Sequence, residues 1–441
     1  MKLLVVLLTA LLSAQELTIS QAVQRAGAQY PSIRVNDEQL RAAAAGIQLA
    51  RLTYLPKVDA IAQVNRATRN NLYGMLLPQQ VLAPISGPPN PNNTGTNVWG
   101  SAVGFLVSWE PFDFGLRQAT VGVNEVAARR AQAALRRTRF EVAALTAHAY
   151  LTVLASTETL AVAEAGKFRV TSITPLVQSL VDSGLRPGID ASQLLAETAA
   201  AEGQLIQARA AVQLSIAALA NLLNLPEAQV RAARMRFLEA PLPTTNSADL
   251  KSHPALIEQG FAQEESAARL KILEKTYYPK FNAQATTYAR GAGSPATSLG
   301  PNIYNWGVGF SATYSLMDLP GLRIKKEIES SLGRAEQARY ERLLLDLEGQ
   351  LSKSRIEVET ASRFAANTPI QLQAARAVHE QVMARYKAGL IPMLEVADAQ
   401  RALTVAEIDD RLARLSVWRA QLALAVAQGD LTDFLARAEK N

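Results

Sequence analysis

The residues best equipped for chemistry are few and scattered. His148, His253 and His379 stand far apart, and none has a second ligand type at metal spacing. Each reads as a satisfied surface or helix-seam histidine. Cysteine is absent, which removes disulfides, thiolate metal sites, thiol nucleophiles and any lipid-modified N-terminal cysteine. No nucleophile elbow, phosphate loop or dinucleotide fingerprint is present. Gly291-Ala292-Gly293 is followed by no helix, and Asn92-Asn93-Thr94, although it fits a glycosylation acceptor, sits in a polar loop. The sequence thus offers no enzyme, cofactor site or metal site. What remains is a carboxylate pair, Glu395 and Asp398, three apart and therefore on one helix face. Acidic residues in a first turn also favour the helix dipole, which accounts for the pair without any function. Asp190 stands at the place of Glu395 in an earlier copy of the same segment, but Gln193 replaces Asp398 there.

That earlier copy is the main organising feature of the chain. Phe112 to Pro187 recurs as Met317 to Pro392, and Gly184 follows Asp113 by the same 71 positions as Gly389 follows Asp318. Each copy closes on a short turn, Gly184-Leu185-Arg186-Pro187 and Gly389-Leu390-Ile391-Pro392. Gly suits the left-handed end of one helix and Pro the start of the next. Apart from Pro175 and Pro369, the sequence between is rich in strong helix formers, and a helix of that length measures roughly 100 Å. No single compact core buries such a rod. Long helices are expected at about 116–183 and 322–388, with return helices at about 189–223 and 393–428. Shorter entry helices end at Tyr54-Leu55-Pro56 and Tyr278-Pro279, because the residue before a proline leaves the α region. The first repeat therefore spans 15–225 and the second 251–429. A proline-marked connection occupies 226–250, and 430–441 is a tail.

Four segments instead carry a period of two, at about 56–66, 98–113, 279–290 and 304–317. The last is the cleanest: Trp306, Val308, Phe310, Ala312, Tyr314 and Leu316 alternate with Gly307, Gly309, Ser311, Thr313 and Ser315. Alternation alone fits any half-buried antiparallel strand. The aromatic spacing adds more. Trp99 and Trp109 are ten residues apart on one face, roughly 33 Å along a strand. Tilted, that span matches the apolar band between the aromatic girdles of an outer-membrane barrel. Trp99, Trp109, Trp306 and Tyr314 are accordingly expected at the membrane interfaces, with Phe310 and Trp306 toward lipid and Ser311 and Thr313 toward the lumen. Four strands cannot close a barrel, so the chain must oligomerise.

Composition agrees. Hydrophobic residues make up 49% but aromatics only 6%, which suits close helix seams better than a thick core. The charge of +6, from 45 basic and 39 acidic residues, is mild, and Arg129, Arg130, Arg136, Arg137 and Arg139 have no aromatic platform between them. They read as a solvated face, not a nucleic-acid site. Residues 1–14 read as a secretory signal, with Lys2 before an apolar run from Leu3 to Leu12. No later stretch reads as a transmembrane helix, so membrane insertion is expected to use strands.

Several segments together resemble the TolC-like outer-membrane efflux proteins. They are Leu17-Thr18-Ile19-Ser20-Gln21-Ala22-Val23, Pro31-Ser32-Ile33, Tyr54-Leu55-Pro56, Trp109-Glu110-Pro111-Phe112-Asp113-Phe114-Gly115 and Leu222-Leu223-Asn224-Leu225-Pro226. Arg385-Tyr386-Lys387-Ala388-Gly389 and Glu395-Val396-Ala397-Asp398-Ala399-Gln400 complete the set. The resemblance covers nearly the whole mature chain. It implies a homotrimer in which a 12-stranded β-barrel in outer-membrane lipid continues into a long periplasmic α-helical barrel. It also implies a passive exit duct for a tripartite efflux or type I secretion system, working with a periplasmic membrane-fusion adaptor and an inner-membrane pump. By the same resemblance the turns at Gly184, Leu185, Pro187, Gly389, Leu390 and Pro392 meet the adaptor. Glu395 and Asp398, with Asp190, would then form a closable carboxylate ring at the tunnel entrance. The chain departs from the pattern at Leu319-Pro320-Gly321, which replaces a Gly-rich turn, and in having prolines inside both long helices. The competing reading is an exported structural or adhesive helical stalk without channel activity; it gives no role to aromatic-tipped strands.

Overall fold

A computed structural model describes residues 16–68, 97–232, 249–293 and 300–440. The signal stretch, Asn92-Asn93-Thr94 and most of the inter-repeat connection lie outside the described residues. In chain order the elements are β1 (Glu16–Leu17), α1 (Ile19–Gln29), α2 (Pro31–Leu52), β2 (Lys57–Thr68), β3 (Asn97–Trp109), α3 (Leu116–Asp182) and α4 (Gly188–Leu223). They continue with β4 (Arg231–Ala232), α5 (Pro254–Lys275), β5 (Lys280–Gly293), β6 (Ile303–Thr313), α6 (Leu319–Lys387), α7 (Met393–Gln428) and α8 (Thr432–Lys440). The described chain forms two compact units, and neither is a repeat. One takes Gln39–Ala131 and Gln259–Arg339, the other Met1–Glu38, Gln132–Glu258 and Tyr340–Asn441.

The first unit holds one antiparallel sheet in the order β2-β3-β5-β6. Each hairpin pairs with itself, and β3 joins β5 from Trp109↔Ala283 to Trp99↔Gly293. Strands β2 and β6 are left as edges. Gly104 lets β5 approach, since a Cβ there would come within 2.4 Å of Tyr288 Cβ. The strand at 98–113 is shorter than expected and stops at Trp109. Pro111 has no N–H to continue a ladder, and Phe114 and Gly115 both take positive φ, 52° and 89°. Asp113 then caps α3, accepting from Gly115 N at 3.1 Å and Arg117 N at 2.6 Å. The strand expected to reach 317 ends at Thr313, followed by a 3-10 turn at Leu316–Asp318. Helix α6 begins at Leu319, three residues early, because Pro320 falls in the first turn, where a missing N–H costs nothing.

The second unit is helical. Both long helices run unbroken through their prolines, Pro175 in α3 and Pro369 in α6. Thr174 donates to Val170 O and Thr368 to Ala365 O beside them. Ion pairs between α3 and α7 fix the seam: Arg169 grips Glu407 with both terminal nitrogens, at 3.2 and 2.7 Å, and Arg411 meets Glu158 at 2.7 Å. Helix α1 starts on a capping box between Thr18 and Gln21. Three elements were not expected from the sequence. The tail carries α8, whose Phe434 packs edge-on against the buried Trp418 of α7, with ring centroids 6.0 Å apart. Strands β1 and β4 form a two-residue parallel pair, beside which the Tyr150 hydroxyl donates to Leu17 O at 2.9 Å. A correction concerns α4. It contains an 18-residue window of mean hydropathy 1.3, long and apolar enough by composition to cross a membrane. Leucine, isoleucine and valine supply most of that hydropathy; Leu194, Leu205, Leu219 and Leu223 are buried within the unit, whereas Leu195, Ile206 and Leu214 are exposed.

Candidate functional site: an apolar sheet face and a tied helix tip

The sheet separates its side chains by chemistry. One face carries Val58, Val64, Val103, Phe105, Val308 and Phe310, all exposed, and Trp306, which is 81% exposed. Large apolar side chains left bare on β2, β3 and β6, with the small Ala283 and Ala285 of β5 between them, demand an apolar surrounding. The opposite face carries Asp59, Gln63, Gln284, Thr286 and Ser311. There Gln284 donates to Ser108 Oγ at 3.2 Å and Thr286 to Phe105 O at 3.1 Å. An open cavity of about 760 Å³ is lined by residues of this polar face, among them Lys280, Asn282, Ser311 and Thr313. Trp306 and Phe310 thus stand on the apolar side, and Ser311 and Thr313 on the polar side. Trp109 is exposed and its indole N donates to Tyr54 O at 3.1 Å. Trp99 is half-buried beneath the Arg66 guanidinium. Tyr314 is exposed just past the end of β6.

An aromatic group closes the helix end of this apolar face. Phe114 stacks on Tyr278 at 4.8 Å and meets Phe112 edge-on at 4.5 Å, and Phe281 links the group to Phe310 at 5.9 Å. Stacking of this kind offsets the left-handed backbone of Phe114, a conformation costly for a bulky residue. The alternating pattern identified Phe281 and Phe310. It could not reveal Phe112 and Phe114, which lie in an irregular turn.

The two Gly-Leu-x-Pro turns have the same geometry. Gly184 and Gly389 take φ +69° and +81°. Leu185 N donates to Leu180 O at 2.9 Å, and Leu390 N to Arg385 O at 3.0 Å. These are Schellman ends, with Pro187 and Pro392 as extended N-cap residues of α4 and α7. Both turns share one core, in which Val177, Leu194, Tyr386, Ile391, Met393 and Val396 are buried together. Leu185 and Leu390 project instead, about 70% exposed each.

The three acidic residues do not share one environment. Glu395 and Asp398 are exposed, and Asp398 pairs with Arg401 at 2.9 Å, which also reaches Glu197 at 3.3 Å. Asp190 is buried, and its Oδ2 accepts from the Tyr386 hydroxyl at 3.2 Å. Burial first, and then the Asp190 carboxylate, push the Tyr386 hydroxyl up to about 12, so it stays a protonated donor. Arg186 covers the same ring at 4.5 Å and donates to Tyr386 O at 2.8 Å. Sequence reasoning placed Asp190 with the exposed pair and overlooked Tyr386 and Arg186. Their signal was the inequality of the repeats: Arg186 faces Ile391 in the alignment, and Tyr386 faces Val181.

A sheet with one bare apolar face and one polar face, in a chain that also forms two very long helices, defines an outer-membrane channel protein. The chain belongs to the outer membrane efflux protein family, whose model matches residues 22–225 and 247–430. Solved structures share its architecture at low identity. The outer-membrane channel OprN is 20% identical with a TM-score of 0.76, over 93% of this chain and 89% of its own. CusC is 13% identical with a TM-score of 0.79, over 94% and 92%. The Campylobacter jejuni CmeC outer membrane channel is 14% identical with a TM-score of 0.76, over 96% and 88%. No curated protein sequence matches the chain. The chain is therefore an outer-membrane efflux channel component with a periplasmic extension.

Proposed function

We propose that three copies form a passive exit duct, with a shared β-barrel in the outer membrane and a helical tunnel below it. The carrying observation is the sheet: four strands with a bare apolar face and two open edges, β2 and β6, cannot stand alone in lipid. An exported stalk has no use for that face. Substrate would be delivered by an inner-membrane pump and a periplasmic adaptor, and the projecting Leu185 and Leu390, on turns closed by backbone hydrogen bonds, suit adaptor docking. Glu395 and Asp398, exposed just past the second turn, are the carboxylates available to a constriction. Asp190 in this conformation belongs to the tie that holds the two turns together. Reconstituted into planar bilayers, the wild-type protein is expected to conduct with cation preference. The double variant Glu395→Ala/Asp398→Ala is expected to lose part of that preference and its block by multivalent cations, while Asp59→Ala keeps both. A preparation that never conducts would overturn the duct. Conductance with unchanged selectivity in the double variant would leave the duct and dismiss the acidic gate.

A further inference from the structure

Arg66 is an arginine on the apolar, exposed face of the sheet, in the alternating set with Val58 and Val64. It lies at the loop end of β2, two residues before the strand stops at Thr68. Its guanidinium covers the Trp99 ring at 5.6 Å, and Nε donates to Asn97 Oδ1 at 2.8 Å. Trp99 is its direct cross-strand partner and Asn97 pairs with Thr68. The stack and the Nε bond fix the plane of the guanidinium while leaving its two terminal nitrogens without another partner among the described residues. A held, planar, two-pronged donor is the arrangement that recognises phosphate oxygens.

The sequence removes the ordinary alternative, a salt bridge. No Asp or Glu occurs between Asp59 and Glu110, or between Glu274 and Asp318. Those two intervals contain most of both hairpins and both of their loops, and they carry Arg66, Arg69 and Arg290. No carboxylate from this end of the sheet, in this copy or another, is available to Arg66. A cation on a lipid-facing surface must snorkel to the interface or find an anion. In a barrel whose long loops face outward, that interface is the outer leaflet.

We propose that Arg66, Trp99 and Asn97 form a binding site for the phosphorylated headgroup of an outer-leaflet lipid. The Arg66 terminal nitrogens would hold two phosphate oxygens, Asn97 would keep the fork in plane, and the Trp99 ring would lie at the headgroup boundary. This rests on the membrane placement of the sheet but not on conduction. The test uses the purified full-length protein in nanodiscs, titrated with a labelled bis-phosphorylated glucosamine-disaccharide lipid (lipid A) or with its dephosphorylated form. Wild type is expected to retain the phosphorylated lipid, and Arg66→Gln to bind it on the order of tenfold more weakly. Arg290→Gln, on the opposite face, should bind as wild type does. Arg66→Lys keeps the charge without the fork and is expected to lose several-fold, and it decides the matter if Arg66→Gln does not assemble. Binding by both Arg66 variants equal to that of wild type overturns the site. So does equal retention of the dephosphorylated lipid, or full displacement by inorganic phosphate at the lipid's own concentration. Conductance from the same preparations keeps the two readings apart: a wild type that conducts but prefers no phosphorylated lipid sinks this site alone.

Discussion

Tyr386 and Asp190 show what a single hydrogen bond does when it is buried. The carboxylate oxygen has one donor shown, and the tyrosine hydroxyl cannot ionise near neutral pH to release it. Removing the hydroxyl leaves a buried acceptor unsatisfied, which costs about 1–3 kcal/mol. Tyr386→Phe is therefore expected to loosen the tip while keeping the ring under Arg186. Hydrogen exchange over residues 384–396 should quicken by roughly five- to a hundredfold. Asp190→Asn keeps an acceptor for the hydroxyl and removes a buried charge, so its effect should be smaller. Unchanged protection in Tyr386→Phe would mean that packing alone, from Val177, Leu194 and Met393, holds the turns together.

At the scale of elements, the strand faces make the sharpest forecast. Phe310 is exposed among apolar neighbours, whereas Ser311 lines the polar cavity. An arginine facing lipid near the midplane costs about 2–4 kcal/mol, and lumenal positions tolerate one. Phe310→Arg should cut the yield of folded, heat-modifiable protein far below that of Ser311→Arg. Equal yields would mean that the two faces meet the same solvent. Periodicity made these elements legible because side chains alternate along strands and the long helices contain few breakers. Return helix α7 spans Met393–Gln428. Legibility ended where a period had no room to develop. Two-residue strands such as β1 and β4 have none, and the left-handed turn at Phe114 follows tertiary stacking rather than local preference. Helix α8 was readable in principle, since Leu431, Phe434 and Ala438 are buried at helical spacing, but nine residues among polar neighbours pass for a tail.

For the whole molecule, the duplication explains matching helix ends but not the compact units, each of which draws on both repeats. Asn224 and Gly429 end the return helices in the same left-handed conformation, as Gly184 and Gly389 end the long ones. The acidic residues escaped the same logic because the copies have diverged around them: only one repeat supplies the tyrosine and only the other its carboxylate. The open edges make the last forecast. In one copy β3 and β5 stand between β2 and β6, so three strand spacings, roughly 14 Å, separate the edges. A disulfide needs Cα atoms within about 7 Å, so a cysteine on β2 cannot reach one on β6 of its own chain. The chain has no native cysteine, so an introduced pair reports without background. Ala62→Cys combined in turn with Val308→Cys, Phe310→Cys or Ala312→Cys samples neighbouring registers on one face. Oxidised in membranes, at least one pair is expected to give covalent dimers and trimers with no larger species, and single variants to give monomers. A ladder that continues past three copies would show an open chain of sheets, and monomers from every pair would show that these edges do not meet, either of which removes the shared barrel.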